Sequence, residues 1–426
     1  MRRSSNTQLE KIEGNHSLAR IAWRQRVLGS SVLALALLML QGCKRHDFPD
    51  YPANYREYAY ITNSGSNTVT ALDMVNLRMD RVIQVGTQPS GIAANPVMNE
   101  VYAVNTGGPA GNGSVTAIDT ETNRAVATIP VGRLPYFIEV DAEGKRAYVA
   151  DSGSNDVSVI DLIRRKVVAV AGTGEQPGLA RIAPDGHTLV VSNRGGNSVS
   201  IFDVSEGAVH PLRLRAVFEG CLGATDAVIL PDSSKAFVAC SSGQQVMAIT
   251  LAAQPGSYAA QQDPGATKDR ELALLDVGKT PVHLAMKPDG GEIFVSNFDG
   301  NSISEIATGT DEVGGTYIIG DKPVRSVVSA DNSMLWISDF GGNSVGVYSI
   351  DDGKLMKNIL VGSAPDALAF SAAGHLLLAV DSRSGDVAFI RTQERSAYQG
   401  RSLFNLLPSG TKPSAIVVKA FKLVKK

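Results

Sequence analysis

A hairpin-like motif recurs eight times along the chain, and no other feature limits the fold as tightly. It reads YITNSGSNTVTALD from Tyr60, YAVNTGGPAGNGSVTAID from Tyr102, YVADSGSNDVSVID from Tyr148 and VVSNRGGNSVSIFD from Val190. It continues as FVACSSGQQVMAIT from Phe237, FVSNFDGNSISEIA from Phe294, WISDFGGNSVGVYS from Trp336 and LAVDSRSGDVAFIR from Leu378. Successive copies start 42, 46, 42, 47, 57, 42 and 42 residues apart. A period in this range marks a unit that buries its apolar face only by stacking on its neighbours.

Each copy has a short apolar strand, a polar turn rich in Gly, Ser and Asn, and a second strand rich in β-branched residues. A third strand follows and generally ends in a Gly and then a Pro. The pairs are Gly86 and Pro89, Gly132 and Pro135, Gly174 and Pro177, Gly278 and Pro281, Gly320 and Pro323, Gly362 and Pro365, and Gly410 and Pro413. The fifth copy has Cys221-Leu222-Gly223-Ala224 in that place. A fourth strand comes after the Pro, and turns such as Pro184-Asp185-Gly186 lead into the next hairpin. Four strands in one such repeat are the signature of a propeller blade, and helical periodicity is absent.

The sequence therefore predicts an all-β chain, a β-propeller of eight four-stranded blades. Strands buried on both faces of stacked blades read as apolar runs, which also accounts for a charged fraction of only 19%. The last strand, residues 414–420, has no hairpin after it, and the first hairpin has no strand before it. Pairing the two closes the ring without a free edge. Seven blades with one irregular unit is the alternative. The fifth copy, with the weakest motif and an insertion at residues 252–270, is then the irregular one.

Residues 1–26 carry six basic side chains and lead into an uncharged run at 27–40. The run falls short of the roughly 20 residues a spanning helix needs and fits the apolar region of an export signal. It ends in Leu40-Gln41-Gly42-Cys43, which resembles the lipobox of bacterial lipoproteins, with Gln41 where a small residue is usual. The resemblance implies a signal peptide over 1–42, a lipidated Cys43 at the new N-terminus, and attachment through acyl chains. With Lys44 after the Cys, it also implies the outer membrane in a Gram-negative envelope. Residues 43–57 are then a tether, 58–421 the propeller and 422–426 a basic tail. Losing 1–42 takes the net charge from −2 to −6, so nucleic-acid binding is not expected.

The recurring order of an aromatic residue or Val, an Asn, a Ser-Asn turn, Val-x-Val-Ile-Asp and Val-Gly-x-x-Pro resembles the YVTN β-propeller repeat, over residues 58 to 420. The family is usually seven-bladed. It includes surface-layer, periplasmic and cofactor-enzyme members, so the resemblance implies fold more narrowly than function.

Strand directions alternate, so the hairpin turn and the Gly-to-Pro loop of each blade share a face, where propellers commonly bind. The fourth motif residue forms a ring there: Asn63, Asn105, Asp151, Asn193, Cys240, Asn297, Asp339 and Asp381. Recurrence in every blade suits a structural role, each side chain capping its own turn by bonding backbone N–H groups. A polar collar for a cation or sugar is the functional alternative. Residues that break the repeat are better candidates for recognition: Tyr136, Arg194, Asp226, His283, Phe298, Arg325, Phe340, Asp366 and Arg383. Three Arg with several aromatics suit an anionic or carbohydrate ligand; solvated loop positions are the alternative. Cys221 and Cys240 fall at strand ends that antiparallel pairing brings together, so a disulfide is expected in an exported protein.

Catalytic signatures do not hold. Residues 342–346 spell Gly-x-Ser-x-Gly, but Ser344 follows a hairpin turn instead of opening a helix, and it recurs as Ser198 and Ser302. No zinc, haem or phosphate-loop motif is present. His283 is the well-placed histidine, and one His makes a poor metal site. The sequence points to a lipid-anchored extracytoplasmic propeller that binds an envelope protein, a glycan or a small anionic ligand, with no cofactor, metal or catalytic residue expected. A propeller enzyme with a cofactor or metal in its channel and a structural envelope protein are the alternatives.

Overall fold

Frequent turns limit the chain to short antiparallel strands, and these assemble into eight four-stranded sheets. The computed structural model describes residues 49–426 except 110, 205–210, 255, 263, 394–399 and 425–426. Seven sheets are formed by consecutive strands. Blade 1 is composite: Arg78–Gln84, Thr68–Asp73 and Tyr55–Asn63 are joined by Pro413–Lys422 from the far end of the chain. That last strand pairs antiparallel with Tyr55–Asn63, from Tyr55 opposite Lys422 to Asn63 opposite Pro413.

The ring thus has eight blades, and blade 5 is a regular sheet of Ala224–Ile229, Lys235–Cys240, Gln245–Thr250 and Arg270–Asp276. The expected irregularity is confined to its insertion, which holds a short helix (Tyr258–Gln262) and a 3-10 turn (Pro264–Thr267). Arg215 of blade 4 clasps Asp269 near the end of this insertion with hydrogen bonds of 2.6 and 2.8 Å. Among the described residues no helix is long and apolar enough to cross a membrane.

The innermost strand of each blade follows the Gly-to-Pro loop. In order from blade 1 these strands are Pro413–Lys422, Pro89–Ala94, Pro135–Val140, Pro177–Ile182, Ala224–Ile229, Pro281–Met286, Pro323–Val328 and Pro365–Phe370. Each touches the inner strand of both neighbours, so together they line a central channel. The core lies between blades. Tyr102, Val104, Val115 and Ile129 of blade 2, for example, pack against Ile138, Ala147, Val149 and Ile160 of blade 3. This is why the middle strands are apolar on both faces, whereas an outer strand such as Lys166–Gly172 alternates between exposed and half-buried positions.

The first strand starts at Tyr55, three residues before the boundary expected from the repeat, and the last ends at Lys422. Part of the expected tether is therefore packed. Tyr51 stacks on Tyr55 with ring centroids 4.8 Å apart and meets His375 Nε2 at 3.3 Å. Buried Glu57 accepts the N–H of Ala372 at 2.7 Å. Cys43 and the expected signal peptide lie outside the described residues.

The Asn members of the ring brace the two strands of their own hairpin more than they cap its turn, and the Asp members also hold the loop that enters their blade. Asn193 Nδ2 donates to Ser198 Oγ at 3.1 Å and Ser200 Oγ at 2.9 Å, on the facing strand. Asn63, Asn105 and Asn297 repeat this with their own pairs of hydroxyls. Those strands are otherwise apolar, so hydroxyls are the acceptors in reach. Asp151 accepts from Ser158 at 2.6 Å, and Asp381 accepts the N–H of Gly362 at 3.1 Å. Asp339 takes the N–H of Asp321 at 2.6 Å as well as that of Gly342 in its own turn at 3.3 Å.

The glycine of each closing signature rests on this ring. A Cβ on Gly86 would lie 2.7 Å from Asn105 Cγ, so a side chain there would push the connecting loop off the next hairpin. In blade 5 Cys221 takes the glycine's place and Cys240 the asparagine's, and the two are joined with Cα atoms 4.8 Å apart. The bridge substitutes for the Gly–Asn contact, and closing its loop contributes about 3 kcal/mol on chain-entropy grounds. A second asparagine links blades. Asn67, Asn155, Asn197, Asn301 and Asn343 adopt φ of 51 to 60°. Their Oδ1 atoms accept the N–H of Gln88, Gln176, Gly223, Lys322 and Ala364 at 2.8 to 3.0 Å.

Candidate functional site

With the recurrent polar residues spent on the hairpins and the loops that enter them, recognition falls to residues that depart from the repeat. The described inner strands of blades 2 to 8 each begin with a shift of register. In blades 5 and 7 the shift is widest, from Ala224 to Ala227 and from Pro323 to Ser326. Asp226 and Arg325 therefore stand outside the ladder, and such bulges re-aim side chains. The freed backbone is satisfied locally: Asp226 Oδ1 accepts the N–H of Ala227 at 3.0 Å, and Ser338 Oγ accepts that of Arg325 at 2.9 Å.

Six successive inner strands, from blade 3 to blade 8, contribute Glu139, Arg181, Asp226, His283, Arg325 and Asp366. Arg181 donates to Glu139 at 2.6 Å and to the Ala227 carbonyl at 3.2 Å, with its guanidinium 5.2 Å from the Phe137 ring centroid. Its Nη2 is 3.8 Å from Asp226 Oδ1. Asp226 is 3% exposed; its Oδ2 accepts the N–H of Leu284 at 3.0 Å and lies 2.6 Å from His283 Nδ1. Burial alone would raise the Asp226 carboxyl, but His283, Arg181 and Arg325 outweigh it and hold the group below the usual carboxylate range. Burial pushes Glu139 up against the pull of Arg181, and pushes Asp366 up against that of Arg325.

His283 Nε2 lies 3.0 Å from the Ser326 carbonyl. That carbonyl and the Asp226 carboxylate can only accept, so each ring nitrogen has an acceptor beside it. Arg325 Nη1 sits 3.2 Å from His283 Nδ1. Among the described residues Arg325 has no carboxylate within ion-pairing distance, whereas Arg181 has two. Arg325 is the cation of this arc that makes no direct ion pair, acting on Asp226 and Asp366 from beyond 4 Å.

The remaining candidates form two groups on the rim. The Arg194 guanidinium lies 5.5 Å from the Tyr136 ring. Phe298 and Phe340, on neighbouring blades, have centroids 6.3 Å apart and are flanked by Lys322 at 5.3 Å and Arg383 at 5.8 Å. Sequence reasoning missed Glu139, Arg181 and Lys322. The signal for the first two was present: their equivalents in the other blades are Ala93, Val228, Ala285, Val327, Ala369 and Val417. Ser344 is buried and donates to Asp339 at 2.9 Å inside its hairpin, the same place Ser198 and Ser302 hold in theirs. No group of three His, Cys, Asp or Glu among the described residues could hold a metal ion.

No family model and no curated protein matches the chain. Solved structures match it in fold. Dihydro-heme d1 dehydrogenase NirN in complex with DHE has a TM-score of 0.68 at 16% identity, over 88% of this chain and 77% of that one. A protein from Lactobacillus plantarum has a TM-score of 0.57 at 15% identity, over 86% and 99%. Hydrazine synthase of Kuenenia stuttgartiensis has a TM-score of 0.51 at 20% identity, over 78% and 92%. At these identities the likeness establishes a β-propeller fold and leaves function to the residues of this chain.

Proposed function

We propose that the chain is a binding module of the bacterial envelope, a lipid-anchored extracytoplasmic propeller that holds a small anionic ligand at its channel mouth. The observation that carries this reading is Arg325, a guanidinium fixed by a wide bulge beside His283 with no carboxylate within 4 Å among the described residues. A planar guanidinium in that state matches a carboxylate or phosphate. Arg194, Lys322 and Arg383, each lying over an aromatic ring, add positive charge at the rim.

The end of the expected tether is packed on the propeller. Tyr51 meets His375, at the start of Leu376–Asp381 and so on the face opposite the hairpin turns. Tyr51 lies eight positions after Cys43, a reach of at most about 29 Å. Cys43→Ser is expected to move the protein from the membrane fraction to the soluble one; retention in membranes would count against lipid anchoring.

Binding is tested with small carboxylates, inorganic phosphate and sugar phosphates, screened by thermal shift and titrated by calorimetry. At least one should bind, and Arg325→Ala should weaken it about 10- to 100-fold, the loss of one charge-assisted contact. Undiminished binding by that variant, or no binding by any of these anions, would defeat the reading. The likeness to a dehydrogenase in complex with DHE raises a cofactor in the channel as an alternative. Each ring nitrogen of His283 has an acceptor beside it. A chromophore in the purified protein would favour that alternative.

A further inference from the structure

Two hairpins place a second carboxyl opposite the ring residue. In blades 1, 2, 4, 6 and 7 the partner is Thr68, Ser114, Ser198, Ser302 or Ser344. In blades 3 and 8 a second carboxyl stands there, Asp156 opposite Asp151 and Asp386 opposite Asp381. Asp151 and Asp381 are fully buried, and Oδ1 of Asp151, Asp156 and Asp381 has no hydrogen-bond partner. Two ionised carboxylates cannot share such a space cheaply. One proton between them removes a charge and supplies a missing hydrogen bond.

We propose that each pair keeps one proton in the folded protein and that losing it loosens the hairpin and the incoming loop resting on it, so that two of the eight blades respond to pH. The groups facing Asp151 are Asp156, the Ser158 hydroxyl and the Gly132 backbone; those facing Asp381 are Asp386 and the Gly362 N–H. The nearby cations are engaged elsewhere: Arg133 donates to the Gly153 carbonyl, and Arg383 lies over Phe340. Burial, reinforced by the partner carboxyl, pushes Asp151 up to about 7 and Asp381 up to about 8; burial moves Asp156 in the same direction.

The folded pairs thus hold protons that unfolded carboxyls release near pH 4. Their stabilisation is complete below about pH 4 and is lost as pH rises through about 7 to 8. The loops at Gly132 and Gly362 run into Tyr136 and Asp366, so loosening would reach the channel mouth. That last consequence rests on the proposed binding site; the stability effect does not.

The test compares the unsubstituted protein with Asp151→Asn/Asp381→Asn, which places at both positions the residue found in four other blades. Between pH 6 and 9 the unsubstituted protein should lose about 5 °C more of its melting temperature than the double variant. Asp156→Ser/Asp386→Ser, the residue facing the ring in four other blades, should flatten the profile in the same way and decides the matter if the Asn variant does not fold. Equal pH slopes in the unsubstituted protein and the folded variants would overturn the proposal, whatever the outcome of the anion titrations.

Discussion

Alanine at Asp226 is expected to cost about 3–5 kcal/mol of stability, the largest effect of any single substitution at the channel. The carboxylate is nearly buried and is the acceptor for His283 and for the N–H of Leu284, with Arg181 at 3.8 Å. Removing it leaves a half-buried imidazole and a guanidinium without their common partner, and orphans a backbone N–H between blades 5 and 6. The side chains of Arg181 and His283 keep 31% and 18% of their surface accessible, so water screens part of the loss and the lower end of the range applies. Urea unfolding at pH 7 measures it; a variant within about 1 kcal/mol of the parent would show that the cluster is solvated and independent of this residue.

The pH dependence of this contribution has the opposite sign to that of the carboxyl pairs. The folded Asp226 carboxyl lies below its ordinary range, so its stabilisation is present above about pH 4 and is lost as pH falls further. Acid titration of Asp226→Asn against the unsubstituted protein should therefore differ at low pH, where the Asp151 and Asp381 variants do not.

The blade count and the closing strand were legible because both follow from the repeat itself: turns recur at fixed offsets, and the unpaired first hairpin and unpaired last strand leave one partner for each other. The residues that break the repeat were also visible one by one. Their grouping was not, because which inner-strand side chains meet depends on bulges whose width differs between blades 5 and 7 and the others. The bonding of the Asn ring was misjudged for a related reason. A motif shows that a residue recurs but not where its amide points, although hydroxyls two residues apart, such as Ser198 and Ser200 or Ser302 and Ser304, were there to suggest it. Tyr51 and Glu57 read as tether because their partners, His375 and Ala372, are more than 300 residues away in sequence.

A ring sealed by its own tail should fail without it, and this effect is larger than that of any point substitution. Pro413–Lys422 supplies the ladder partner of Tyr55–Asn63, and Val417 and Phe421 pack into the cluster shared by blades 1 and 2. A buried side chain of this size is worth about 1.5–3 kcal/mol. Two of these, added to the lost ladder and the opened channel, take up much of the roughly 5–15 kcal/mol by which a domain is stable. The direct measurement is circular dichroism through a thermal melt of a chain ending at Gly410, with and without a peptide of residues 411–424. The closed eight-bladed ring predicts no cooperative transition for the shortened chain and its recovery when the peptide is added. A shortened chain that melts cooperatively at the parent's temperature, indifferent to the peptide, would contradict the ring and the channel mouth built on it.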